Sequence, residues 1–328
     1  MIIYYEHKAK HYSLTQTILK RFSHCEQIEI QHYKDLFDKT IGNYPLENCV
    51  ILAKQEHIAI LDTPEHYGFP WKSFFFKPSL NCLFDCTYCY LKGSFKNRFP
   101  VIFVNYEDFK SEIDRKIYEE RRNWYQGNLT FYASNYSDLL AIDHWTDFCA
   151  EFFGFFEQYE DVLLETRTKS ANIEWLRKLA QQGKLYHNTE IAFSLSPEEI
   201  ATSYEPRTAS LQQKLKAINE LLHLGYRVGL RFLPLLPIEN YQDVYKSLIE
   251  EVGESLPIEK ISSIFIAPLI YNKGDFSVMK KKYPDFRLLD LLQENEKGLM
   301  KMESSYYEKF EQLFKTGFPE KEILWDYQ

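Results

Sequence analysis

Three of the six cysteines, Cys82, Cys86 and Cys89, fall within eight residues in the run Cys-Leu-Phe-Asp-Cys-Thr-Tyr-Cys. Thiolates spaced C-x3-C-x2-C can reach one metal centre from a single loop, and thiolate is the usual ligand of iron–sulfur clusters. A cubane presents one more iron than this loop has sulfurs. The uncovered iron is then a reactive position, by the logic that keeps one position open at catalytic zinc. The spacing predicts a 4Fe–4S cluster whose open iron takes the amino and carboxylate groups of S-adenosylmethionine. An electron from such a cluster breaks a carbon–sulfur bond, and the resulting 5′-deoxyadenosyl radical abstracts hydrogen from a substrate. Two other readings of the same residues stay open. One is a zinc site completed by a fourth ligand such as His66 or His144, which would make the protein a non-enzymatic metal-binding module. The other is three unrelated buried thiols.

The remaining cysteines, Cys25, Cys49 and Cys149, are scattered singly. A disulfide framework would spread thiols in pairs through a small secreted chain, so the cluster of three points to metal. Cys149 lies in the pattern Trp145, Phe148, Cys149, Phe152, Phe156, which is the core-facing stripe of a helix. There a free cysteine is packing.

The elements that must carry the loop follow from periodicity. From Phe74 onward, short β-branched or aromatic runs alternate with helical patterns. Strands are predicted at 74–80, 101–104, 128–132, 162–165, 190–195, 228–233 and 261–267. Helices are predicted at 106–122, 143–159, 171–182, 211–224 and 241–252. Asp143 stands where an N-cap belongs and Gly225 where a C-cap glycine belongs. With 101–104 set outside the sheet, six strands with intervening helices predict an α/β fold: a partial (βα)6 barrel with its chemistry at the strand C-termini. Residues 1–70 read as a small α/β appendage, with strands at 2–5, 49–53 and 58–61 and a helix at 13–22. Residues 71–270 read as the barrel. Residues 271–328 read as a C-terminal helical and irregular extension, with helices at 288–300 and 303–315.

The 328-residue chain is 45% apolar and carries a formal charge of −8. That balance weighs against a protein that grips a long phosphate backbone, leaving only local patches such as Lys280–Lys282 for DNA. No apolar run reaches the length of a membrane span, and the N-terminus lacks a secretory pattern, so a cytoplasmic protein without membrane contact is expected.

The segment Cys82–Gly93, followed by Arg98-Phe99-Pro100 and Val104-Asn105, resembles the spore photoproduct lyase family of radical S-adenosylmethionine enzymes. Similarity continues at Asp138, Ile142-Asp143-His144, Thr168-Lys169, Phe193-Ser194, Glu205-Pro206, Leu211 and Gly225-Tyr226, and covers the opening Ile3-Tyr4-Tyr5-Glu6. The resemblance implies that Tyr88 contacts the cofactor beside the cluster and that Tyr90 takes part in radical transfer near the substrate. It implies that Ser137, Lys169 and Ser194 bind S-adenosylmethionine. An ammonium suits the cofactor's carboxylate, and hydroxyls suit carboxylate or ribose. A one-electron donor such as flavodoxin or ferredoxin is implied as well.

Two departures qualify that likeness. Where the family has a hydrogen-donating cysteine before the Thr-Ser-Asp segment, this chain has Asn135, followed by Tyr136, a candidate substrate or radical residue. Where the family has a basic, tyrosine-containing hairpin, this chain offers residues 288–301, interrupted by Glu294 and Glu296. The expectation is a diverged member that keeps radical initiation on an unidentified substrate. The alternative is DNA thymine-dimer repair with another hydrogen donor. Asp138, Asp143 and His144 are read as helix-capping residues, or else as a small network at the second strand's end, and Arg207 and Arg231 as candidates for an anionic substrate.

Overall fold

The computed structural model describes residues 1–37, 48–64, 71–94 and 99–325, so His66 and Arg98 lie outside the described residues. The chain opens with β1 (Ile2–Glu6), α1 (Ser13–Arg21), β2 (Glu26–Ile30) and β3 (Cys49–Ala53). It continues through β4 (Leu61–Asp62), β5 (Lys72–Phe75) and β6 (Ser79–Leu80). After the cysteine loop come α2 (Leu91–Ser94), β7 (Val101–Phe103), α3 (Tyr106–Arg122) and β8 (Leu129–Tyr132). Then follow α4 (Leu139–Thr146), α5 (Phe148–Phe156), β9 (Val162–Thr168), α6 (Glu174–Gln181) and β10 (Thr189–Ser194). The barrel ends with α7 (Glu198–Tyr204), α8 (Leu211–Leu224), β11 (Arg227–Leu235), α9 (Tyr241–Ser255) and β12 (Ser263–Pro268). Last are β13 (Tyr271–Asn272), α10 (Lys273–Lys282), β14 (Gln293–Glu294), β15 (Leu299–Lys301), α11 (Ser304–Gly317) and β16 (Ile323–Trp325).

The large sheet runs β16-β12-β11-β10-β9-β8-β5-β4. Its six strands β5 and β8 to β12 pair in parallel, which gives the predicted partial barrel. Every residue of β8 and β10 is buried, as strands covered on both faces must be. Phe74 and Phe131 are cross-strand partners whose ring centroids lie 5.1 Å apart. Two pieces escaped the sequence pattern because each is too short to show a period. β16 adds a further parallel strand outside β12, and β4 closes the other edge antiparallel to β5.

A second sheet, ordered β2-β1-β3-β7-β6, joins the N-terminal strands to Val101–Phe103. That strand therefore lies outside the barrel, as its length suggested. The expected appendage strand at 58–61 is not there: only Leu61 is extended, and it pairs with Phe75 of the barrel sheet.

The helices at 106–122 and 211–224 form over the predicted residues. Ser210 and Gln213 make a reciprocal capping box at the start of α8, and Gly225 ends it at φ 90°. The single helix expected at 143–159 is two. Asp147 takes a left-handed φ of 51° and breaks it, and the first half starts earlier, capped by Asp138. Asp143 is consequently inside α4 rather than at an N-cap, and its carboxylate accepts the Cys149 N–H of the next helix at 2.9 Å. The helix expected at 288–300 is instead a short 3-10 turn at Arg287–Leu291 and a hairpin, β14 paired with β15. Turn chemistry overrides the leucine spacing there. Asn295 Oδ1 accepts the N–H groups of Lys297 and Leu299, and Gly298 supplies φ 73°.

Candidate active site

The strand C-termini of the barrel converge on one cavity of about 480 Å³. The cysteine loop supplies Cys82, Cys86, Tyr88, Cys89 and Tyr90 to its wall. The turn after β8 brings Ser134, Asn135, Ser137 and Asp138, the end of β9 brings Thr168 and Lys169, and β10 brings Ser194. β12, β13 and β15 complete the far side with Ala267, Tyr271 and Leu299. The residues expected to hold the cluster or the cofactor, with Tyr90, meet here, and Tyr136 does not. Its ring lies instead on Phe75, 6.1 Å between centroids, with Lys77 Nζ 4.2 Å from the ring centre.

Burial pushes the Cys86 thiol up to about 12 and raises Cys82 and Cys89 too. Asp138 and the other two cysteines add to the effect at Cys82, so the three sulfurs share one electrostatic neighbourhood. Neutral buried thiols are poor nucleophiles on their own, and a metal centre binds them by displacing their protons.

Around the loop, two carboxylates fix the geometry. Asp138 Oδ1 accepts the Ala141 N–H at 3.0 Å and the Thr168 hydroxyl at 2.8 Å, while Oδ2 accepts the Lys169 N–H at 2.7 Å. The α4 cap is thereby also a clamp between the β8 turn and the end of β9. Glu205, at the end of α7, is a buried hub. It accepts the Tyr88 hydroxyl, the Ser196 hydroxyl at 2.6 Å and the Lys169 ammonium at 3.0 Å. Although burial opposes ionisation, Lys169 and Lys214 beside it hold the Glu205 carboxyl down to about 2. Ser134 and Ser196 are marked in the sequence only by their place at strand C-termini, and Glu205 is given no role there. The signal for Glu205 was the Glu205-Pro206 similarity, which carries no role without the geometry.

Two other candidates sit elsewhere. Arg231 is fully buried within the sheet, its guanidinium bonded to Glu165 at 2.7 Å, to Glu190, and to Ser263 Oγ at 2.8 Å. It neutralises two buried carboxylates and has no access to an anionic substrate. Arg207 is exposed and lines a separate cleft. Asp143 and His144 line a third cavity rather than this one, so His144 is not placed to complete a zinc site at the cysteine loop.

The residues present suit the inferred groups. Ser134 Oγ and Ser137 Oγ are buried in the cavity wall with no hydrogen-bond partner among the described residues. Buried hydroxyls of this kind cost free energy unless a ligand satisfies them. Six βα units with a three-cysteine loop over their strand ends make up the architecture of a radical S-adenosylmethionine enzyme, and this chain is one. It belongs to the spore photoproduct lyase family, whose sequence description matches residues 1–313. Enzymes of this family work with a 4Fe–4S cluster and S-adenosylmethionine.

Among relatives, the spore photoproduct lyase of Bacillus subtilis is 23% identical over 296 residues, spanning 88% of this chain and 83% of the relative. That of Clostridium acetobutylicum is 25% identical over 295 residues, spanning 87% and 83%. In fold, the chain matches a spore photoproduct lyase complexed with dinucleoside spore photoproduct at a TM-score of 0.82 and 18% identity, covering 99% of this chain and 98% of that one. It matches a mutant of that enzyme with bound AdoMet and dinucleoside spore photoproduct at 0.81, with the same identity and coverage. No helix among the described residues is long and apolar enough to cross a membrane.

Proposed function

We propose that the chain holds a 4Fe–4S cluster through Cys82, Cys86 and Cys89, cleaves S-adenosylmethionine reductively, and passes the radical to a substrate seated in the same cavity. The observation that carries this reading is the cavity wall itself, where the three cysteines stand with Ser134 and Ser137 hydroxyls that find no partner among the described residues. When bound, the cluster and cofactor supply a 5′-deoxyadenosyl radical able to abstract hydrogen.

The chain's own residues then have distinct tasks. Tyr88, tied to Glu205, fixes the loop between Cys86 and Cys89. Lys169, held by Glu205, presents an ammonium to the cofactor's carboxylate. Ser134, Ser137 and Ser194 offer hydroxyls to its carboxylate or ribose. Tyr90 is 38% exposed at the mouth, and its phenol donates to the Asn135 carbonyl. It is the radical-transfer residue at the position where Asn135 itself has no weak X–H bond to give. An external one-electron carrier of the flavodoxin or ferredoxin type supplies the electron.

A second reading, repair of a thymine dimer in DNA, is favoured by the hairpin whose Leu299 lines the wall and by relatives named as spore photoproduct lyases. Against it stands the missing thiol at position 135.

Anaerobic reconstitution followed by dithionite reduction is expected to yield 5′-deoxyadenosine from S-adenosylmethionine. A fully loaded cluster that gives none, or purified protein carrying one zinc and no iron, overturns the proposal. The repair reading expects binding to irradiated duplex that weakens steeply with salt. No affinity at low salt removes it.

A further inference from the structure

Beside the cluster cavity lies a second cleft of about 520 Å³, and Phe84 lines both. Phe84 stands between Cys82 and Cys86 in sequence, so the residue common to both cavities belongs to the cysteine loop itself. The cleft is walled by the connection after β9 and the connection between α7 and α8. None of β12, β13 or β15, which form the far end of the cluster cavity, contributes to it.

Its charge runs against that of the molecule. Arg177, Arg207 and Lys216 line the cleft against a single carboxylate, Glu220, in a chain whose formal charge is −8. Arg177 is committed to Glu220, at 2.5 and 2.9 Å. Arg207 and Lys216 are exposed and make no ion pair among the described residues. A focused positive patch in an acidic protein selects an acidic partner and speeds its encounter.

We propose that this cleft is the docking site of the reductant, a small acidic one-electron carrier whose redox group comes to rest against Phe84. The inference rests on the cluster reading given above and adds where the electron enters. Substrate and reductant then approach from different walls of the cysteine loop, so reduction does not require the substrate end to empty. With flavodoxin as carrier, the anionic flavin hydroquinone gives up one electron and becomes the neutral semiquinone. The oxidised cluster takes that electron, and no proton moves.

The test compares flavodoxin hydroquinone with dithionite on the reconstituted protein, following bleaching of the cluster absorbance rather than turnover. In the doubly reversed variant Arg207→Glu/Lys216→Glu, reduction by flavodoxin is expected to slow at least about tenfold and to lose its salt dependence. Reduction by dithionite is expected to be unchanged, and Arg207→Lys/Lys216→Arg is expected to keep the wild-type rate with both. Wild-type speed with flavodoxin in the reversed variant overturns the proposal. So does equal slowing with both reductants, which would place the effect on the cluster. Failure of flavodoxin to reduce a wild-type cluster that dithionite does reduce overturns it as well. Loss of affinity for duplex DNA at an unchanged flavodoxin rate assigns the cleft to nucleic acid instead. A wild-type protein that assembles no cluster overturns the functional reading itself, which is a separate result.

Discussion

A thiol's surroundings decide whether it can bind metal or only fills space, and the cysteines of this chain stand in two kinds of surroundings. Cys149 is buried in α5 against the aromatic residues of its own stripe, and burial together with Asp143 raises its thiol well above the ordinary range. Cys82, Cys86 and Cys89 share a cavity wall with unsatisfied hydroxyls. Replacing any of the three with alanine is expected to abolish the iron–sulfur absorbance and 5′-deoxyadenosine formation. Cys149→Ala is expected to keep both and to cost about 1 kcal/mol in denaturant unfolding, the worth of a small buried group. Retention of a full cluster after loss of Cys86 would remove the assignment. The orphan hydroxyls separate binding from folding in the same way. Ser137 Oγ makes no hydrogen bond among the described residues, so Ser137→Ala is expected to leave stability within about 0.5 kcal/mol. Its affinity for S-adenosylmethionine is expected to fall by about 0.5–1.5 kcal/mol, roughly two- to tenfold in Kd. A stability loss without an affinity loss would show that the hydroxyl serves the fold.

At the scale of elements, the barrel strands bury charge in order to meet each other. Arg231 of β11 bridges Glu165 of β9 and Glu190 of β10, with Arg167 also on Glu165. Removing one partner strands buried carboxylates, so Arg231→Met is expected to cost about 3–5 kcal/mol by urea titration. Despite burial, Arg167 and Arg231 hold the Glu165 carboxyl down from 4.5 to about 2. A carboxyl depressed on folding stabilises fully above its unfolded value and loses that contribution as pH falls through its folded one. The network's support is therefore expected to persist to about pH 4.5 and to fade toward about pH 2, a slope that Arg231→Met should flatten. The sequence showed the regular elements well. Period placed α3 and α8, with Gly225 closing α8, and β-branched runs placed five of the six barrel strands, while the run expected at 74–80 divides between β5 and the second sheet's β6. It failed where pairing rather than period decides structure. β14 and β15 are two and three residues long, and the leucines that flank them mimic a helix. Asp147 splits α4 from α5 through a single left-handed residue that no periodicity records. At the site, spacing assigned the three cysteines to one loop, and that loop lines the cavity. Glu205 was not, because its partners Tyr88, Lys169 and Ser196 are brought together only by the barrel's closure.

For the molecule as a whole, the open barrel leaves the outer edge of β12 to be covered by whatever chain follows it. α11 lies on α9 through Phe310, whose ring is 4.9 Å from Tyr241 and 5.1 Å from Tyr245, and Phe314 reaches Phe232 of β11 at 4.7 Å. Phe318 is buried beyond the helix end, and β16 then pairs in parallel with β12 from Ile264 to Ile266. This last stretch therefore satisfies an edge that would otherwise present open N–H and C=O groups to a second molecule. A chain ending at Gly317 lacks both Phe318 and β16. It is expected to unfold with a loss of about 3–5 kcal/mol, the cost of deleting a buried phenylalanine, before the lost strand is counted. It is also expected to self-associate with rising concentration in light scattering, because β12 becomes a bare edge. The cysteine loop sits over the strand ends and takes no residue from beyond Gly317, so the truncated protein is expected to keep its iron–sulfur absorbance while monomeric. An unchanged unfolding midpoint with a monodisperse monomer would show that the edge is covered by other means.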